Sequence, residues 1–350
     1  MNKYAGQKVF VAKFLHELAA AEPADMARVL RQYCHEDVLW EAFHPFNTMR
    51  GIDQAVATFW RPLKESFPDY DQVLNLSLGG EYEGRDWVST LGHVCGTSTK
   101  PWLGIPATYR LSYLRFGFNV LLHEGKIARA YILLDVVDVM HQAGFYPFRQ
   151  MPGSPEQWPA PPLGTSSPPD SYDNKAGVRT LKIVREMQMA LPKITKGDYQ
   201  GSPHSPLWHE NMNWYGPSGI GSARGKRGFR EHHSQLFLQA FPDRTGWPRQ
   251  PNTPIDAPGH YIRLGDGQFS VTSGWPSVKG THLGGGWLGL PPSGRHVELR
   301  VADWYRVTPE GAIIENWVAI DIPHIVKQMG HDILGDLAFF ANPSQRRWPD

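Results

Sequence analysis

Two stretches of sequence decide the fold: GKIARAYILLD at residues 125–135 and GAIIENWVAID at residues 311–321. Each begins with Gly, continues through a mostly apolar run and ends at an Asp. In each, a further Gly follows nine residues after the Asp, at Gly144 and Gly330. The same strand, Asp, short helix and Gly therefore occur twice, and the spacing predicts a duplicated domain.

Further matches extend this repeat towards the N-terminus. Trp40 and Trp214 each precede an Arg-Gly pair and then a Phe-Pro-Asp triplet at identical spacing. The copies are 174 residues apart at the front and 186 at the back, which predicts an insertion in the second copy near 244–258. We therefore predict a first domain at 1–146, a Pro-rich, semi-rigid linker at 147–174 and a second domain at 175–350.

Composition excludes several classes of protein. Hydrophobic residues make up 41% of the chain, charged residues 20%, and the net charge is +1. These values predict a soluble cytoplasmic protein without a nucleic-acid or membrane partner. Only Cys34 and Cys95 are present, which argues against a disulfide framework. No apolar run approaches the ~18 residues of a membrane span.

Hydrophobic periodicity predicts the same order of elements in both copies. Helices are predicted over 6–21, 24–34, 52–65, 136–143, 176–191, 228–239 and 322–329. Strands are predicted over 87–95, 110–122, 127–135, 260–264, 269–272, 296–307 and 313–321, and a short strand is predicted to carry Trp40 in the first copy and Trp214 in the second. Helices followed by antiparallel strands indicate an α+β fold. Each copy is expected to be a curved, mostly antiparallel sheet covered by helices, forming a cone with an apolar interior.

Three motifs of the second copy resemble the SnoaL-like polyketide cyclase family. They are Gly280-Thr281-His282, the GLPPSGR run at 289–295 and the segment that ends at Asp321. The resemblance covers about 5–145 and 175–335. It implies two tandem cystatin-like cones, a fold shared with ketosteroid isomerase and scytalone dehydratase. It also implies cofactor-free acid–base chemistry, typically an aldol ring closure.

The resemblance assigns the general acid/base to the Asp at the end of the last strand, which is Asp321 in the second copy and Asp135 in the first. The first copy has Arg129-Ala130-Tyr131 where the second has Glu315-Asn316-Trp317, so the second is the more typical copy. We therefore expect Asp321→Asn to remove most turnover and Asp135→Asn to cost much less.

Strand alternation predicts which side chains face the pocket. Glu315, Trp317, Ala319 and Asp321 share one face, which we expect to line the cavity. The predicted substrate-binding residues are Trp317, Trp214, Glu315, Trp287, Trp40 and Tyr131, with His282 as a catalytic donor or a turn residue.

The competing interpretation of the strand-end carboxylates is structural. Asp immediately before a short helix is a favoured N-cap, which would hold the carboxylate as the anion. In the second copy, Pro323 favours the first helical position, which would move the cap to Ile322 and leave Asp321 free.

The sequence thus predicts a cofactor-independent cyclase, isomerase or lyase that acts on a small carbonyl compound. A non-catalytic binding protein and a hydro-lyase are the alternatives. No metal site is expected, because no ligand cluster has the required spacing. The two sheets are expected to face each other as an intrachain pseudo-dimer, with self-association of whole chains left open.

Overall fold

The computed structural model describes residues 2–148, 151–155, 157–165, 167–191, 205–246 and 259–341. Within them lie a six-stranded and a seven-stranded sheet. We call the first sheet with its helices the first domain and the second sheet with its helices the second domain. Most of the predicted insertion, at 247–258, lies outside the described residues.

The first domain begins with two helices and ends with a short one. Its elements are α1 Lys3–Ala20, α2 Met26–Tyr33, β1 Cys34–Ala42, β2 Thr48–Arg50, α3 Gly51–Ala55, α4 Arg61–Ser66, β3 Asp71–Tyr82, β4 Arg85–Thr97, β5 Leu111–His123, β6 Lys126–Leu134 and α5 Val136–Gln142. A π-helical turn joins α3 to α4. The strand order is β2-β1-β6-β5-β4-β3, with β1 and β6 parallel and the other pairs antiparallel.

The second domain repeats this plan. Its elements are α6 Asn174–Ala190, β7 Trp208–Tyr215, β8 Ala223–Arg224, α7 Gly225–Phe229, α8 Gln235–Ala240, β9 Thr245–Gly246, β10 His260–Asp266, β11 Phe269–Thr281, β12 His296–Val307, β13 Ile313–Ile320, α9 Ile322–Met329 and α10 Ile333–Ala341. The main strand order is β10-β11-β12-β13-β7-β8, and a π-helical turn again joins α7 to α8. The predicted α+β class is confirmed, with a parallel pair in each sheet.

Two of the long strands differ from the sequence prediction, and the short strands β2, β8 and β9 and the helix α10 were not predicted. Strand β3, Asp71–Tyr82, was not predicted, because Gly79 and Gly80 weaken its strand pattern. Strand β11 continues to Thr281 rather than ending at Thr272, since a register shift between Gly274 and Val278 accommodates Pro276. The remaining predicted helices and strands among the described residues begin and end within a few residues of the observed ones.

Each sheet has an inner face, turned towards the helices of its own domain, and an outer face. In the first domain the inner face is aromatic: the ring of Trp40 packs on those of Trp60 and Phe118, and Phe118 packs on Phe14 of α1. These four side chains are at most 1% exposed. The interior of the first domain is therefore filled by its own side chains.

The outer faces of the two sheets pack against each other. The Tyr131 and Tyr261 rings stack with centroids 3.5 Å apart, and the Asn119 amide donates to the Tyr261 hydroxyl at 2.8 Å. At one edge, the buried ammonium of Lys8 lies 2.7 Å from the Asp266 carboxylate. Both faces of each sheet are consequently buried over most of their area.

The chain between the domains contacts both domains. The indole N–H of Trp158 donates to the Gly92 carbonyl, and the Lys8 ammonium donates to the Ser167 hydroxyl. Ser154 pairs with Ser222 of the second domain. The described part of this segment is therefore held along its length. No helix among the described residues has the length and apolar character needed to cross a membrane.

Candidate functional site

The two strand-end carboxylates form a reciprocal pair of contacts between the domains. Asp321 accepts from Arg300 at 3.1 Å and from the backbone N–H of His44 in the first domain at 2.9 Å. Asp135 accepts from Arg115 at 3.2 Å and from the backbone N–H of Ser218 in the second domain at 2.8 Å, so each carboxylate ties its own sheet to the opposite domain. We call these two sets the interdomain latches.

Both latch carboxylates are also helix N-caps. Asp321 accepts from the backbone N–H of His324 and Asp135 from that of Asp138. The expectation that Pro323 would move the cap to Ile322 is wrong, because Pro323 occupies the second helical position, where its missing N–H is equally harmless. Burial raises the pKa of Asp321, and the Arg300 guanidinium opposes that rise.

The predicted facing of the last strands is also wrong. Glu315, Trp317 and Asp321 lie on the outer face, where Glu315 pairs with Arg306 and the Trp317 indole donates to the Pro159 carbonyl. Alternation correctly identified which residues share a face. It could not tell the inner from the outer face, because the opposite domain and the linker cover the outer one.

In the first copy, too, the predicted pocket-facing side of the last strand is the outer face. Tyr131 lies on the outer face against Tyr261, and Arg129 forms an ion pair with Glu41 at 3.0 Å. Asp135 forms its ion pair with Arg115, which also lies 3.5 Å from the carboxylate of Asp138.

Two other predicted residues support the loop after β11. The Nδ1 atom of the fully buried His282 accepts from the backbone N–H of Ser293 at 3.2 Å, and burial lowers the pKa of the ring. Trp287 packs edge-on against Phe241 and is 1% exposed. This geometry favours the interpretation of His282 as a turn residue rather than a catalytic donor.

The inner face of the second domain carries a different carboxylate, Asp303 on β12. Asp303 pairs with Thr272 of β11 and Val318 of β13 across the sheet. Burial raises the pKa of Asp303 to about 7, while hydrogen bonds from Asn316 and Tyr305 lower it. Among the described residues, no cationic side chain forms an ion pair with it. A desolvated, unpaired carboxyl titrating near neutrality is the usual requirement for a general base.

A hydrogen-bonded group of side chains extends from Asp303 to α6. The Tyr305 hydroxyl bonds to the Asp303 carboxylate and to the side chains of Gln188 and Thr272. Gln188 also donates to the Thr272 hydroxyl at 2.7 Å. Asp303 remains partly accessible, whereas Tyr305 and Thr272 are buried. The arrangement supplies one proton acceptor and one adjacent hydroxyl donor.

Aromatic rings form the wall of this interior. Trp214, one of the predicted wall residues, stacks on His233 with centroids 4.0 Å apart, and Trp208 packs against Tyr305. Burial lowers the pKa of His233 to about 3, so its ring is neutral at physiological pH. The partly accessible ring of Phe237 continues the wall.

The two interiors differ at equivalent positions. Phe118 pairs with Thr90 and Ile132 just as Asp303 pairs with Thr272 and Val318, so Asp303 replaces Phe118. The paired π-turns likewise place His233 where the first domain has Phe59. Trp40, predicted to bind substrate, is part of the filled first interior.

Asp303 was not among the site residues predicted from the sequence. A signal was present, since Val297, Leu299, Val301, Asp303, Tyr305 and Val307 alternate on β12 and only Asp303 among them is charged. A lone carboxyl on an apolar strand face is costly unless it has a partner or a function.

Comparisons with known proteins give structural matches only. No protein-family model matches the chain, and no curated protein sequence matches it. Among solved structures, it is similar to a candidate SnoaL-like polyketide cyclase from Jannaschia sp. CCS1, with 22% identity, 40% of this chain and 93% of that chain covered, and a TM-score of 0.35.

Two further matches come from Streptomyces. IdmH, a candidate polyketide cyclase from Streptomyces antibioticus, is 16% identical, with 40% of this chain and 98% of that chain covered and a TM-score of 0.33. AclR, a candidate hydroxylase from Streptomyces galilaeus, is 15% identical, with 41% and 98% covered and a TM-score of 0.33. Each match spans about two fifths of this chain, and at these identities the likeness concerns the fold and not a reaction.

Proposed function

We propose that the protein is a cofactor-independent acid–base enzyme whose site is the interior of the second domain. The observation that carries this proposal is Asp303, a carboxyl with a pKa of about 7 and no described ion-pair partner, on an inner sheet face lined by aromatic rings. The substrate class we propose is a small carbonyl compound with an acidic C–H bond, because such a bond is broken by a positioned base of this strength.

In the proposed reaction, the Asp303 carboxylate removes the proton next to the carbonyl, and the C–H electron pair becomes the enolate. The Tyr305 hydroxyl, which bonds to the carboxylate in the free protein, becomes available to donate to the enolate oxygen once Asp303 is protonated. The protonated carboxyl then returns its proton to a different carbon, which is an isomerisation. If the enolate attacks a second carbonyl instead, the proton goes to the new alkoxide, which is a ring closure.

The strand-end residues do not take part in this proposal. Asp321 and Asp135 are engaged in the interdomain latches, where each carboxylate accepts from a guanidinium and two backbone N–H groups and is directed at the opposite domain. Asp303 instead lies on the inner face of its sheet, without an ion-pair partner among the described residues. The expectation that the second domain is the active half stays, with a different residue as its base.

The test is C–H exchange in deuterated water, which needs no knowledge of the natural substrate. Purified protein is incubated with a panel of small ketones and 1,3-dicarbonyl compounds, and deuterium uptake is followed by NMR. We expect Asp303→Asn to lower the exchange rate of an accepted compound by about 100-fold or more, the range of a lost general base.

Glu315→Gln is the matched control, because it makes the same carboxylate-to-amide change on the outer face of the neighbouring strand. It should exchange at the wild-type rate. If wild type and Asp303→Asn catalyse exchange equally, the acid–base proposal is wrong. Tight binding of a panel compound without exchange would favour the binding protein instead.

A hydro-lyase is the second candidate, because His233 shares the interior with Asp303 and its Nδ1 atom lacks a partner among the described residues. With its pKa at about 3, the ring can accept a proton or a hydrogen bond but is rarely protonated near pH 7. It therefore suits orientation of a leaving hydroxyl better than its protonation, and this candidate ranks below enolisation. Loss of water from a 3-hydroxy ketone would identify it.

A further inference from the structure

Trp304, the residue directly after Asp303 on β12, has its side chain on the outer face of the sheet and enters the first domain. Its indole N–H donates to the Ser89 hydroxyl of β4 at 2.8 Å. Its ring lies over Gly117 of β5, where an added Cβ would be 2.4 Å from the ring edge. The absence of a side chain at Gly117 therefore makes room for the ring, which is fully buried.

A second contact holds the same strand two residues before Asp303. The Ser273 hydroxyl lies 2.8 Å from the carbonyl oxygen of Val301 and 2.7 Å from the Tyr261 hydroxyl. Asn119 of the first domain donates to that Tyr261 hydroxyl. The first domain thus contacts β12 on both sides of Asp303, once directly and once through β10 and β11.

We propose that the first domain positions Asp303 through Ser89 and Gly117, acting across the interface on a site to which it contributes no catalytic group. This inference rests on the proposed function. Neighbouring residues of a strand point to opposite faces, so clamping the Trp304 side chain on the outer face fixes the backbone from which the Asp303 carboxyl projects inwards. Asn119 supports the same strand through Tyr261.

The proposal also explains why the first domain has a filled interior. A rigid, close-packed partner is a better support for a strand than one with a polar cavity of its own. The first domain has Phe118 on its inner face where the second has Asp303, and its outer face receives Trp304.

The test uses Gly117→Ala, which presses a methyl group into the Trp304 ring, and Ser89→Ala, which removes the indole's acceptor. Gly80→Ala is the matched control, because its Cβ would meet only the flexible end of Leu264, at 3.2 Å, in the same interface but away from β12. All variants are made in the full chain, and a thermal unfolding transition establishes that each is folded.

The free energy of unfolding of each variant is measured from pH 4 to 9, with and without the additional change Asp303→Asn. The difference between the two curves is the contribution of Asp303 to stability, and the pH midpoint of that difference is the main readout. The other titratable or charged side chains towards this interior include, among the described residues, Tyr305, His233 and Arg263. They are present in both members of each pair, so their contributions largely cancel.

We expect the midpoint to fall by about half a pH unit or more in Gly117→Ala and Ser89→Ala, because a loosened strand admits water to the carboxyl. It should not move in Gly80→Ala. The exchange rate on an accepted compound should fall about tenfold, as expected for a displaced base. If Gly117→Ala does not fold, Ser89→Ala and Trp304→Phe decide the question.

An unchanged midpoint in folded Ser89→Ala and Trp304→Phe would overturn the positioning role. That result differs from failure of the proposed function, in which Asp303→Asn itself leaves both the exchange rate and the pH dependence of stability unchanged.

Discussion

The two interiors of this chain share a fold and differ in what fills it. In the first domain, Trp40, Trp60 and Phe118 pack into a continuous aromatic core. In the second, the position of Phe118 is taken by Asp303, and burial raises the pKa of this carboxyl to about 7. The comparison teaches that the repeated parts, including the interdomain latches, maintain the structure, while the position at which the repeat breaks is the best indicator of a site.

The largest expected effect concerns the interdomain latches, the feature that the two domains share. Asp321→Ala leaves the largely buried Arg300 guanidinium without its carboxylate, so it should lower the free energy of unfolding by about 3–5 kcal/mol. Asp135→Ala should cost less, because the Arg115 guanidinium keeps a second carboxylate, that of Asp138 at 3.5 Å. Chemical denaturation of the two variants measures both losses.

The milder change Asp321→Asn separates this account from the sequence-based one. The sequence predicts that this change removes turnover while the fold remains intact, whereas the latch geometry predicts lower stability with turnover per folded molecule nearly unchanged. A folded Asp321→Asn protein without activity would restore Asp321 as the catalytic residue.

The next largest effect concerns Asp303, the position at which the two interiors differ. Because the pKa of Asp303 is raised in the folded protein, stability is lost as the pH rises from about 4, where an unfolded Asp titrates, to about 7, and the full loss persists above. Asp303→Asn should therefore stabilise the protein by about 1–3 kcal/mol at pH 8, allowing for partial access of water. At pH 4 it should have little effect. Thermal unfolding at the two pH values compares them.

The control for Asp303→Asn is Glu315→Gln, which should not stabilise the protein at pH 8. A stabilisation by Asp303→Asn that is equal at both pH values would mean that a charge on Asp303 is not its cause.

The smallest expected effect concerns the aromatic wall. His233 stands where the first domain has Phe59, and its buried Nδ1 lacks a partner among the described residues. His233→Phe should raise the free energy of unfolding by about 1 kcal/mol, because an apolar ring removes the orphaned polar atom. The reverse substitution in the first domain, Phe59→His, should lower the free energy of unfolding by a larger amount. A destabilised His233→Phe protein would indicate that the histidine has a structural partner.

The sequence predicted most of the fold because the repeat fixed the order of elements twice. It also identified the residues that share each face of the last strand, Glu315 with Trp317 and Arg129 with Tyr131. It could not assign those faces, since burial of a sheet between helices and a second sheet removes the polar-outside pattern. Asp303 was overlooked because a charged residue on a strand is usually paired at the surface, although the apolar residues that alternate with it on β12 indicated a buried face.

The most direct test of the central claim is the titration of the Asp303 carboxyl in the intact chain. With aspartate labelled by 13C at the side-chain carboxyl, NMR from pH 3 to 9 follows each resonance, and the signal lost in Asp303→Asn identifies this one. The account predicts a midpoint about three pH units above that of an ordinary Asp, near pH 7. A midpoint near 4 would show that Asp303 is hydrated or paired like a surface carboxylate, and would contradict an acid–base site in the second domain.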